Sequence, residues 1–190
     1  MAETLILGAG ETLRKTFLIL PGESCDLDLE IDLRGEGGEV DLRGLYLCPG
    51  DEKLNIRVRL AHSAGSCISH QDFRGIAGGS ASVTFDGRIV VAVDAQKTEA
   101  YQESHGILLS DRARIRTLPQ LEIYADDVKC SHGATTGRLD EAEQFYMRSR
   151  GIPEAEAKRL QIMSFLSPVT ATLSDGERAA VEKAIDQVLS

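Results

Sequence analysis

The sequence contains no tryptophan, and phenylalanine and tyrosine bring its aromatic share to only 5%. Any core must therefore be built from aliphatic side chains, which the 42% hydrophobic content supplies. The four cysteines, Cys25, Cys48, Cys67 and Cys130, form no CxxC pair. Neither a disulfide framework nor a structural zinc site is indicated, and reduced thiols are expected. No run approaches the ~18 apolar residues of a membrane span. The start, MAETLILGAGETLRK, lacks the basic opening and long apolar stretch of a signal peptide. A cytoplasmic location and no membrane partner are the expectation. Positive charge is short as well: 21 basic against 30 acidic residues give a formal charge of -9, which repels a phosphate backbone, so no nucleic acid is expected as a partner. The row Arg112, Arg114, Arg116 places three cations on one strand face but has no interleaved aromatics, and it reads as a solvated surface.

What is present is alternation. Leu27, Leu29, Ile31 and Leu33 point one way while Asp26, Asp28, Glu30 and Asp32 point the other, the pattern of a half-buried strand. Gly35, Gly37 and Gly38 mark a turn, Val40 and Leu42 resume, and Pro49-Gly50-Asp51 turns again before Leu54, Ile56, Val58 and Leu60. Val83 and Phe85, then Ile89, Val91 and Val93, then Leu108, Ile115, Leu121, Ile123 and Val128 continue the series of short strands. A sandwich, a barrel and a β-solenoid all fit, and pattern alone does not choose among them. Gly8-Ala-Gly10 lacks the residues of a phosphate loop and reads as a turn.

After Gly137 the period changes from two to 3.6. Asp140 to Glu143 looks like a capping box opening a helix that carries Phe145 and Tyr146 and stops at Gly151. Pro153 suits the first position of a second helix with the stripe Ala157, Leu160 and Met163, which Pro168 ends. Ser174 to Glu177 is another capping box, before Val181, Ala184, Ile185, Val188 and Leu189 at helix spacing. This tail packs either on the β-domain or on a partner.

Two groups of residues suggest chemistry. Cys130 and His132 stand at i and i+2, so in a strand they share a face and could touch one metal or reacting group, with other ligands coming from elsewhere. The simpler reading is a buried thiol beside a hydrogen-bonded histidine. His62, Cys67 and His70 could gather round a turn, but their spacing matches no usual zinc pattern. No oxyanion or substrate motif accompanies the Cys130 and His132 pair, so an enzyme is not expected.

The run PQLEIYADDVKCSHGATTGRLDEAEQFYMRSRGI, Pro119 to Ile152, resembles the carboxyl-terminal signature of the SufB/SufD family of iron-sulfur cluster assembly scaffolds. A looser similarity passes through DGRIVVAVDAQKTEAYQESHGILLSDRARI, Asp86 to Ile115. The resemblance implies a mainly β fold, a right-handed parallel β-helix over residues 1–138, followed by a small helical domain over 139–190. It implies that Leu139 to Pro168 dock a SufC-type ABC ATPase, through Phe145, Tyr146, Arg148, Arg150, Ile152, Leu160 and Phe165. It also implies that Pro119 to His132 form a seam with a SufB-like subunit through Leu121, Ile123 and Val128, an edge that in isolation would pair two copies into a homodimer. His132 matches the SufD histidine of that seam and is the leading site residue and metal ligand, with Cys130 beside it. No stably bound cofactor is implied, only iron or an iron-sulfur cluster in passage. The SufB cysteine falls near Ser104 and the second glutamate of its EHEA-like motif on Gly133, which makes the chain SufD-like. Family members carry a long amino-terminal region that this chain largely lacks, and Met1 to Lys15 are expected to cap the first rung.

Overall fold

The computed structural model describes residues 2–189. Ten strands come first: β1 (Ala2–Leu7), β2 (Thr12–Ile19), β3 (Cys25–Leu33), β4 (Glu39–Cys48), β5 (Lys53–His62), β6 (Ile68–Ala77), β7 (Ser82–Val91), β8 (Glu99–Leu108), β9 (Arg114–Ile123) and β10 (Lys129–Gly137). Three helices follow, α1 (Glu141–Ser149), α2 (Glu154–Thr170) and α3 (Asp175–Leu189). Odd strands make one sheet in the order β1-β3-β5-β7-β9 and even strands another, β10-β8-β6-β4-β2. Every pairing is parallel. The chain thus lays one strand in each sheet per turn, and five such turns make a mainly β parallel solenoid.

The period-two pattern explains why. Leu29 pairs with Val58 and Val58 with Gly87, so inward side chains stack in columns between the two sheets while the acidic and basic residues line the outside. With no tryptophan to fill the interior, large and absent side chains alternate along a column. Tyr46 lies over Gly75, where an added Cβ would come within 2.2 Å of its ring, and Phe73 lies over Gly44 in the same way. Outside, Arg57 pairs with Asp28 and Arg59 with Asp86 across neighbouring rungs.

The helices pack on the outer face of the even sheet. Leu45, Leu47, Ile76 and Ile107 meet Ile162, Leu166, Val169, Val181 and Ile185 in a second core. Arg43 and Arg74 fasten α2 by donating to the carbonyls of Pro168 and Phe165.

Several expectations from the sequence change here. Residues of the 1–15 segment do not cap the solenoid: β1 and the start of β2 are its first rung, with Leu5 and Leu13 turned towards the core and Lys15 paired with Glu3. Met1 lies outside the described residues. Val83 to Val91 lie on one strand, with Val93 beyond it and 64% exposed. Pro153 is the N-cap of α2 rather than its first helical residue. Pro168 sits inside α2. It removes the N–H that would bond the Ser164 carbonyl, and the Ser167 hydroxyl donates there instead, at 2.8 Å. The buried stripe of α2 is Ala157, Ile162, Leu166 and Val169, set by the sheet it covers, and Leu160 lies outside it.

Candidate functional site

The last rung, like the first, is an end of the solenoid: β9 and β10 each have a strand on one side only, as do β1 and β2. Cys130 pairs in register with Ala100 and His132 with Gln102, both buried, so the Cys130 and His132 positions continue inward-facing columns to the open end. Cys130 is half-buried against the core. Burial pushes its thiol up from the ordinary range, and a backbone hydrogen bond from Ala100 acts the other way. It is a protonated thiol at neutral pH, a poor nucleophile until a metal or a base takes the proton. His132 is exposed.

Beneath His132 the column is polar. Gln102 Nε2 donates to Gln71 Oε1 at 3.1 Å, and both residues are buried. On the outside of the same strands, His105 stands 2.8 Å from a Glu103 oxygen and 2.7 Å from Thr135 Oγ1, tying β10 to β8. Lys129 adds an ion pair to Glu99 at 2.8 Å.

The seam residues lie around this end. Leu121 and Val128 are half-buried and Ile123 is 43% exposed, whereas Ile89 and Val91, one rung below Leu121 and Ile123, are fully buried. The helical residues fall into two groups. Phe145 (73% exposed), Tyr146 (60%), Arg148, Arg150 and Leu160 face solvent, with Arg150 over the Tyr146 ring. Ile152 is half-buried, and Phe165 packs against the second core under Arg74. A groove of about 680 Å³ runs between α1, the end of α3 and β8, with Leu109, Leu139, Phe145, Arg148 and Lys158 among its walls.

The other candidates separate. His62 is buried with Nε2 at 2.8 Å from Ser69 Oγ, Cys67 is buried against the Gly35 and Gly65 carbonyls, and His70 stacks outside on Tyr101. Among the described residues no group of three His, Cys, Asp or Glu could hold a metal ion. Arg114 and Arg116 are exposed on β9, and Arg112 precedes the strand. Ser104 is buried at an inward position of β8, and an added Cβ on Gly133 would meet the Glu103 carboxylate at 2.6 Å.

Residues 4–165 match the family described as SUF system FeS cluster assembly, SufBD core domain. The chain belongs to the SufB/SufD family. It is 36% identical over 171 residues to the iron-sulfur cluster assembly protein SufD of Escherichia coli, a match covering 90% of this chain and 40% of that protein. It is also 36% identical over 146 residues to SufD of Bacillus subtilis, covering 75% of this chain and 32% of the relative. An iron-sulfur cluster assembly SufBD family protein of Mycobacterium bovis is 30% identical over 192 residues, covering 96% and 48%. The chain spans less than half the length of each of these relatives. No helix is long and apolar enough to cross a membrane among the described residues.

In this SufD-like chain the Gln71 and Gln102 column and the Glu103, His105, Thr135 bridge are not singled out by sequence reasoning. A signal for the glutamines was present. In the run Ala100, Gln102, Ser104 the inward parity is carried by an amide, which a solvated strand face does not require.

Proposed function

We propose that this chain is a SufD-like scaffold subunit of iron-sulfur cluster assembly. In this reading the open last rung joins a SufB-like subunit, or a second copy, through strands β9 and β10. His132, with Cys130 beside it, contributes there to the handling of iron or a cluster that passes through as substrate. The exposed face of α1, with Phe145, Tyr146, Arg148 and Arg150, together with Ile152, Leu160 and Phe165, grips a SufC-type ABC ATPase. The observation that carries the proposal is the coincidence of two unpaired strand edges with the Cys130 and His132 positions on one of them. Parallel edges present rows of free N–H and C=O groups to a partner strand. A soft thiol and an imidazole suit iron.

Copurification from the native cell, with iron and sulfide assayed in whatever complex emerges, tests this. An ABC-type ATPase and a second SufB/SufD subunit are expected in the complex. Failure to bind any such ATPase with the three helices intact would sink the docking claim.

A second reading is an interaction solenoid without cluster chemistry, favoured by Ser104 and Gly133 standing where the SufB cysteine and glutamate fall. His132→Ala separates the two. If iron-sulfur enzyme maturation in cells is unchanged by the substitution while deletion of the gene abolishes it, the chain acts as a structural partner.

A further inference from the structure

The polar column under His132 has unused hydrogen-bonding capacity. Gln102 is fully buried and Gln71 nearly so, yet Gln102 Oε1 and Gln71 Nε2 have no hydrogen-bond partner. A buried amide oxygen left unpaired is costly, and a native interior rarely keeps one without a use. The Gln102 amide is also fixed in place. Its Nε2 is bonded to Gln71, and it lies across the lumen over Gly87, where a Cβ would come within 2.4 Å of that nitrogen. Residues 87 and 102 therefore face each other between the sheets. One rung further on, Gly87 gives way to Pro119 and Gln102 to His132. Thr117, two residues before Pro119 and so of the same inward parity, has a buried Oγ1 without a partner. The unpaired Gln102 oxygen thus lies one rung beneath the position that His132 occupies, Pro119 opposite offers no N–H, and Thr117 stands two residues along the facing strand.

We infer that Gln102 is a positioning residue for His132: the two side chains are not bonded in the structure, and when the imidazole turns in over the column Oε1 accepts its N–H and fixes which ring nitrogen is left free to bind. The Gln71 hydrogen bond orients the amide so that the oxygen, and not the nitrogen, faces the last rung. An imidazole donates from one nitrogen and accepts through the other, so fixing the donor end fixes the ligand end. The relevance of this to cluster assembly rests on the function proposed for His132. The arrangement itself does not, because the imidazole can be observed directly.

Nitrogen-15 NMR of the histidine rings in the full chain, with the His132 signals assigned by His132→Gln, is the test. The native protein should show one dominant His132 tautomer and an imidazole N–H that exchanges with water about three- to tenfold more slowly than in the variants below. Gln102→Met alone leaves the Gln71 oxygen unpaired and could unfold the chain. Gln71→Met with Gln102→Met removes both partners and should fold. In the double variant the dominant tautomer is expected to be lost while the melting temperature holds. Averaged tautomers in the native protein, or a His132 spectrum unchanged in the double variant, would overturn the assignment. A positioned His132 whose His132→Ala variant matures iron-sulfur enzymes normally would leave the geometry standing and remove only the function proposed for it.

Discussion

The middle of the solenoid and its last rung are built from the same alternating pattern and end in opposite conditions. Between β3 and β8 each strand has neighbours on both sides, and inward residues such as Leu33, Val58, Phe73 and Ile89 are fully buried. In β9 and β10 the same inward parity leaves Leu121 and Cys130 half-buried and Ile123 and His132 exposed. A parallel solenoid cannot close on itself, so its end keeps free hydrogen-bonding groups and incompletely packed side chains. Stability is stored in the middle, and binding capacity is left at the end.

The largest expected effect comes from breaking the middle. Phe73→Ala removes a fully buried ring packed on Phe85 and should cost ~3–5 kcal/mol of unfolding free energy in chemical denaturation. Ile123→Ala, at the open end, should cost less than ~1 kcal/mol. Equal losses would erase the contrast.

Acid should also act on the middle. Burial lowers the His62 imidazole to about 4 from an ordinary value of 6.5. The unfolded chain therefore takes up this proton first, so the contribution is present above pH 6.5 and is lost as pH falls from 6.5 to about 4. At 1.36 kcal/mol per unit the loss approaches roughly 3 kcal/mol at the bottom of that window. Denaturation at stepped pH should show this slope and should lose it in His62→Leu. A slope that persists in the variant would place its origin elsewhere.

A smaller effect belongs to the helices that cover the even sheet. Ser174 and Glu177 form a reciprocal cap at the start of α3, with Ser174 N donating to the carboxylate at 2.9 Å and Glu177 N donating to Ser174 Oγ at 3.4 Å. Ser174→Ala should lower stability by ~1 kcal/mol without changing the seam. The smallest effect is expected for Phe145→Ala. At 73% exposure its removal should change the melting temperature little, and only an assay of ATPase binding should register it.

The middle was more legible in the sequence than the end. Leu27 to Leu33 alternate cleanly because one face of β3 meets the core and the other meets water. Leu45, Tyr46 and Leu47 do not alternate because α2 and α3 cover the second face of β4, a tertiary fact that no local pattern records. The helix interior at Pro168 was illegible for a similar reason, since a serine hydroxyl one residue earlier replaces the missing donor. Periodicity could not choose the solenoid over a sandwich, because both use half-buried strands of this length. The resemblance at Pro119 to Ile152 made that choice. Cys130 and His132 could be placed on one strand face by spacing, but the glutamines beneath them come from rungs that only the register brings together.

The central claim is that the last rung is the joining end of the molecule. Amide hydrogen exchange compared between the isolated chain and the complex copurified from the native cell tests it most directly. Residues 129–137 of β10 should exchange quickly alone and slow by about tenfold or more in the complex, the equivalent of ~1.4 kcal/mol of added protection, while β5 and β6 change little. Equal exchange of β10 in both states, with new protection confined to other surfaces, would contradict the account.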